Sequence, residues 1–149
     1  MFLPVSIDIT DKQILLIGGG KVALEKITSL KRFTDKIIIV TIEADDVVKE
    51  YPYHIIYKAY EKSDLDGSFL VYACTNIKIT NQQIKDDCNE KGILVNVVDN
   101  PGLCDFISPA IYKQGNMTVA VSSNGKDVRS SIRWRNRIRD LIDNGSAGL

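Results

Sequence analysis

Residues 14–23 read Ile-Leu-Leu-Ile-Gly-Gly-Gly-Lys-Val-Ala: an apolar run that enters three glycines and leaves as a helical pattern. A β-branched and leucine-rich run of this kind is a buried strand, and a strand that turns on glycine into a helix commits the chain to a β-α-β framework. Gly18, Gly20 and Ala23 stand at the spacing G-x-G-x-x-G/A. In that context Gly18 permits the tight turn, Gly20 lets a pyrophosphate approach the backbone, and Ala23 lets helix and strand pack closely. The N–H groups at the helix start then face an anion, with the helix dipole behind them. The ligand class indicated is a dinucleotide.

The rest of the chain keeps the alternation. Strand-like runs are expected at Val5–Ile9, an edge candidate, and at Gln13–Ile17, Lys36–Thr41, His54–Lys58, Ser68–Cys74 and Gly92–Val97. Helical runs are expected at Lys21–Phe33 and Ile79–Glu90, with a short helix or turn at Asp45–Tyr51. This is the pattern of an open, mostly parallel α/β sheet, Rossmann-like in order. After Asp99 the character changes. Pro101-Gly102 signals a turn, and Phe106–Tyr112 and Met117–Val121 read as a β-hairpin around Lys-Gln-Gly-Asn. A basic helix over residues 126–143 follows. The 149 residues therefore divide near residue 110 into a nucleotide-binding domain, 1–110, and a hairpin-plus-helix segment, 111–149.

Ligands of open α/β sheets bind beyond the carboxyl ends of the strands, here Gly18–Gly20, Ile42–Glu43, Thr75–Asn76 and Asp99. A carboxylate about 20 residues past the glycines takes ribose hydroxyls of NAD. Glu43, Asp45 and Asp46 occupy that stretch without an arginine, which favours NAD over its 2′-phosphorylated form. The same acids also suit the start of a helix. Asp99 ends a strand with a carboxylate, a group able to accept a proton or orient a substrate, or simply to form the turn before Asn100-Pro101.

Lys126, Arg129, Arg133 and Arg137 recur at spacings of three and four and share one helix face. Six basic residues fall in 126–139 against one acid, Asp127. Such a face is either a solvated surface or a receptor for planar carboxylates or phosphates. Nucleic acid fits such a face by charge, but net charge is zero, no nucleic-acid module is recognisable, and a small polycarboxylate fits at least as well. The three cysteines, Cys74, Cys88 and Cys104, lack metal spacing and imply reduced thiols in the cytoplasm. The single histidine, His54, reads as a half-exposed strand residue. No signal peptide or apolar span is apparent, so no membrane association is expected.

Taken in order, several blocks resemble the precorrin-2 dehydrogenases of sirohaem synthesis, including the amino-terminal module of the sirohaem synthases. They are Leu3-Pro4-Val5, Gly18–Ala23, Ala73-Cys74-Thr75-Asn76, Val95–Asp99, Phe106–Ala110 and Val119–Lys126. The resemblance implies a homodimer that uses NAD to oxidise precorrin-2 to sirohydrochlorin, with ferrous iron insertion in some members. Gly18, Gly20, Lys21, Val22, Ile42 and Glu43 match NAD-contacting stretches, and Thr75 joins them at the end of its strand. Asp99 matches the aspartate required for dehydrogenation. Ser123 matches a serine of the active-site crevice that is phosphorylated in some relatives, and Lys126, Arg129 and Arg133 are the expected contacts of the many-carboxylate substrate. The carboxy-terminal segment forms much of the family's dimer interface. Three departures stand out. Asp127-Val128-Arg129-Ser130 replaces the usual Ser-Pro and Ala-Arg stretch, the chain stops at Leu149 where members continue into a helical domain, and no metal-ligand cluster is present. The alternative from the residues is a non-catalytic module that senses NAD or another nucleotide; within the resemblance, the alternative is a degenerate member that binds the tetrapyrrole and hands it on. Short-chain dehydrogenase chemistry is disfavoured, since no Tyr-x-x-x-Lys follows the fourth strand.

Overall fold

The chain's architecture was obtained as a computed structural model, which describes residues 1–98 and 100–145. It divides into two compact units, one of residues 4–106 and one of residues 1–3 with 107 onward.

The larger unit is built on β1 (Gln13–Gly19), the apolar run that leads into the glycines. Its neighbours are β2 (Ile37–Ala44), β3 (His54–Tyr57), β4 (Ser68–Ala73) and β5 (Leu94–Val97), in the spatial order β3-β2-β1-β4-β5. Every pairing is parallel. Side chains of β1 alternate between two cores, as strand geometry requires. Ile14 and Leu16 face Ala23 and Ile27 of α1 (Lys21–Leu30) and Val48 of α2 (Asp46–Lys49). Leu15 and Ile17 face Leu65 and, from α3 (Lys78–Lys91), Ile84 and Cys88. A strand covered on both faces has no use for polar positions, which explains the unbroken apolar run. The α/β, Rossmann-like expectation is therefore borne out.

The crossover from β3 to β4 carries no α-helix. A single 3-10 turn, Lys62–Leu65, spans it and buries Leu65 completely in the second core. Val5–Ile9, expected as an edge strand, is irregular, because neither sheet edge takes it as a ladder partner. Only Ile9 of that stretch packs on the first core, while Val5 is exposed.

The loop after β5 is stapled back onto the strand. Asp105 accepts a hydrogen bond from Val95 N–H at 3.0 Å and pairs with Lys85 at 2.5 Å. The Asn96 amide donates to Phe106 O at 2.9 Å, and Val97 N–H donates to Cys104 Sγ at 3.2 Å. Phe106 then packs edge-on against Tyr72.

In the smaller unit, β6 (Ala110–Gln114) and β7 (Met117–Val121) form the expected antiparallel hairpin. Its first strand starts four residues later than Phe106, where the sequence reading placed it. Pro109 lacks the N–H a ladder needs, and Phe106 belongs to the other unit. The last helix, α4 (Val128–Asp143), packs on this hairpin, and Arg135 donates to Ile111 O at 2.8 Å.

Candidate functional site

A cavity of about 610 Å³ opens at the carboxyl ends of β1, β2, β3 and β4. Its size lies within the ~300–1,000 Å³ typical of cofactor and small-molecule sites. All seven residues assigned to the cofactor from the sequence line it: Gly18, Gly20, Lys21, Val22, Ile42, Glu43 and Thr75.

The three glycines hold this floor together for three separate reasons. Gly18 has φ +115°, and a Cβ there would stand 2.7 Å from Cys74 O, just past the end of β4. Gly19 is pinned on the other side. A Cβ would meet Glu43 O at 2.6 Å, and Gly19 O itself accepts from Asp45 N–H at 2.9 Å. The sequence motif treats this position as variable, so its demand for glycine was missed. Gly20 meets nothing within 4 Å. Its missing side chain leaves open space on the cavity side, immediately before α1. No side chain caps that helix. The first-turn amides have no acceptor inside the helix, so they are available to an anion from outside. Ala23 is fully buried under the turn. These features fit a dinucleotide pyrophosphate.

Beyond β2 the wall is acidic. Glu43 and Asp45 line the cavity, while Asp46 pairs with Lys49 at 2.8 Å. Ile42 is 73 % exposed, leaving an apolar face at the rim, and Ile77 is exposed on the same rim. Lys58 and Tyr60 are among the cavity residues that the sequence did not single out. Lys58 follows β3 and pairs with Glu61 and Asp64, both at 2.9 Å. Those two carboxylates raise its pKa above the ordinary lysine range. Tyr60 donates to the buried Asp87 at 2.9 Å, and burial pushes its hydroxyl pKa upward. The acids at the third and sixth positions after Lys58 were a readable signal of its ion pairs.

Thr75 is fixed by a reciprocal pair with Asn81 on α3. Its hydroxyl donates to Asn81 Oδ1 at 2.7 Å, and Asn81 Nδ2 donates to Thr75 O at 2.9 Å. Asn81 is buried, so both bonds are shielded from water.

Asp99, the candidate proton acceptor, lies outside the described residues; Val98, before it in sequence, lines the cavity. The remaining candidates sit in the smaller unit. Lys126, Arg129 and Arg133 are exposed, as is Arg137. Among the described residues none of these four is ion-paired. Ser123 Oγ accepts from Asp127 N–H at 2.8 Å, and Asp127 caps α4 by accepting from Ser130 N–H at 2.9 Å. Ser123 thus has a structural bond that the sequence did not reveal. Val128, Ile132 and Leu141 of this helix are exposed in the single chain. Among the described residues no three His, Cys, Asp or Glu side chains converge, and no helix is long and apolar enough to cross a membrane.

Residues 5–110 match the protein family described as "Putative NAD(P)-binding". The chain belongs to this NAD(P)-binding family. It is 35 % identical over 150 residues to a siroheme synthase of Psychrobacter sp. (strain PRwf-1), covering 98 % of this chain and 31 % of that protein. It is 35 % identical over 152 residues to a siroheme synthase of Azotobacter vinelandii, covering 99 % of this chain and 33 % of that one. The chain thus spans about a third of the length of these curated relatives. The NAD(P)-binding fold also superposes on SirC, a precorrin-2 dehydrogenase, with a TM-score of 0.81 at 20 % identity, over 92 % of this chain and 69 % of that one. The resemblance read from the ordered sequence blocks is borne out by these likenesses.

Proposed function

We propose that this chain binds NAD across the carboxyl ends of its parallel sheet and carries out the oxidation of precorrin-2 to sirohydrochlorin. The observation that carries the reading is the open face of Gly20 beside the uncapped start of α1, inside a cavity whose far wall is acidic. NAD, when bound, supplies the hydride acceptor. The first-turn amides of α1 hold the pyrophosphate, and Glu43 takes the ribose hydroxyls. Asp99 receives the proton released on oxidation, consistent with its place directly after Val98. Lys126, Arg129 and Arg133, with Ser123, engage the substrate carboxylates, for which three exposed and unpaired cations are suited. Most of the rate arises from holding the two reactants in contact. The reading further places the protein in the cytoplasm as a homodimer, with the exposed apolar residues of α4 contributing to the interface.

The test is an anaerobic assay of precorrin-2 with and without NAD and ferrous iron, followed by absorbance. NADH formation is expected with the wild-type chain. It should fall by at least about a hundredfold in Asp99→Ala at unchanged circular dichroism, the order of effect of losing a general base. NAD binding without turnover in any condition would instead favour a sensing or tetrapyrrole-carrying module. Iron-dependent product would add chelation to the activity.

A further inference from the structure

The cavity contains a cation placed where a nucleotide phosphate is read, yet that cation is already taken. Lys58 N–H donates to Thr41 O at 3.0 Å, which sets Lys58 level with the Ile42–Glu43 end of β2. In open parallel sheets the adenine ribose lies there, and a basic side chain at that place accommodates a 2′-phosphate. Lys58 lines the cavity together with Glu43 and Asp45. Its ammonium, however, bonds Glu61 Oε2 and Asp64 Oδ1, each at 2.9 Å. Those acceptors are themselves fixed. Glu61 N–H donates to Asp64 Oδ2 at 2.8 Å, and the Glu61 carboxylate accepts from Asp64 N–H in a reciprocal cap on the 3-10 turn. The Asp64 side chain is only 11 % exposed, so water and salt screen its charge poorly. Lys58 is therefore held directly by two carboxylates, Glu61 and Asp64, in a cavity that Glu43 and Asp45 also line.

Building on the reading of this cavity as an NAD site, we propose that Glu61 and Asp64 set its preference for NAD over the 2′-phosphorylated dinucleotide by sequestering Lys58. The acidic wall repels a 2′-phosphate, and the paired lysine cannot offset that repulsion. Neutralising the two holders frees a cation on the ribose side and removes two negative charges at once. Lys58 is a specificity-determining residue kept silent by its partners.

Calorimetric titration of the full chain with NADH and NADPH tests this. The wild-type chain should bind NADH more tightly than NADPH. In Glu61→Gln, NADPH affinity should rise about threefold, and in Glu61→Gln/Asp64→Asn about tenfold, as expected for removing one and then two negative charges near a dianion screened by water and salt. NADH affinity should stay within about twofold in both, since the 2′-hydroxyl is uncharged. Adding Lys58→Met to the double variant should cut the gain back to about threefold, since it removes the freed cation but does not restore the two acids. Gln and Asn keep the acceptors of the cap, and Glu61, at 68 % exposed, is tolerant of the change, so the single variant decides the matter if the double variant does not fold. NADH binding with unchanged NADPH affinity in Glu61→Gln overturns the proposal and leaves the NAD reading standing. A gain left undiminished by Lys58→Met overturns it as well. A wild-type chain that binds no NADH overturns the NAD reading, and the proposal with it.

Discussion

Adjacent residues of one kind can answer to different physics. Gly19 and Gly20 share a peptide bond, yet one is confined by backbone on the facing strand and the other faces empty space. Alanine at Gly19 would press a methyl onto Glu43 O, 2.6 Å from the ideal Cβ, and the backbone there cannot swing aside as a long side chain would. Gly19→Ala should lower stability by about 1–3 kcal/mol, the usual range for overpacking, as measured by urea denaturation. Gly20 has φ −90°, a value any residue adopts. Gly20→Ala should leave the denaturation midpoint nearly unchanged, with a loss of a few tenths of a kcal/mol for a poorer helix cap. It should nevertheless weaken NADH binding by about tenfold, because the methyl occupies the approach to the first-turn amides. Equal stability losses in the two variants would refute this division of roles.

Elements are positioned here by small polar locks as much as by apolar packing. The connection from β4 to α3 forms one wall of the cavity, and its geometry depends on Asn81 reaching back to both the hydroxyl and the carbonyl of Thr75. Asn81→Ala strips two buried partners at once. The loss should be about 1–3 kcal/mol, the cost of stranding buried polar groups. Thr75→Ala keeps the bond to its carbonyl and loses the hydroxyl's bond to Asn81 and the exposed one it accepts from Ile77 N–H at 3.2 Å; it should cost less, and NADH titration should rank the two variants in the same order. Identical binding by Asn81→Ala and wild type would show that the wall keeps its shape without the lock. The crossover between β3 and β4 works on the same principle, with a reciprocal cap and two ion pairs tying down a segment too short for a helix.

Across the whole molecule, two groups buried on the α3 side of the sheet keep their protons to high pH. Burial pushes the Cys88 thiol up to about 12, and the Tyr60 hydroxyl moves the same way while donating to Asp87. Both folded values exceed the unfolded ones, so the native state retains protons that the unfolded chain sheds. Their contribution is complete below the unfolded thiol value, near ~8.5, and is lost as pH climbs toward the folded one. The melting temperature should therefore decline steadily from about pH 9 upward. Cys88→Ala should be less stable near neutrality but show a shallower decline. A wild-type melting temperature that holds flat to pH 11 would refute the assignment.

The features legible in the sequence were those carried by local pattern. Ile14–Ile17 announced a strand covered on both faces, Gly18–Ala23 its turn into a helix, and Ile42–Glu43 and Thr75 the tips that line the cavity. What escaped depends on who sits beside whom. Gly19 needs to be glycine because of Glu43, 24 residues later, and β2 runs on to Ala44 because it pairs with Gly19 beyond a register shift. Val5–Ile9 has the alternation of a strand but no partner to make it one. Lys58 reads locally as a strand's polar end, and only the sheet order sets it beside β2.

The bare amino end of α1 makes secondary structure and metabolite supply interdependent. With NAD seated there, the coenzyme finishes a helix that the polypeptide leaves incomplete, and every bound molecule adds to the cohesion of the fold by mass action. A cell whose coenzyme pool is depleted would then hold a population of this protein that opens more readily and is cleared sooner.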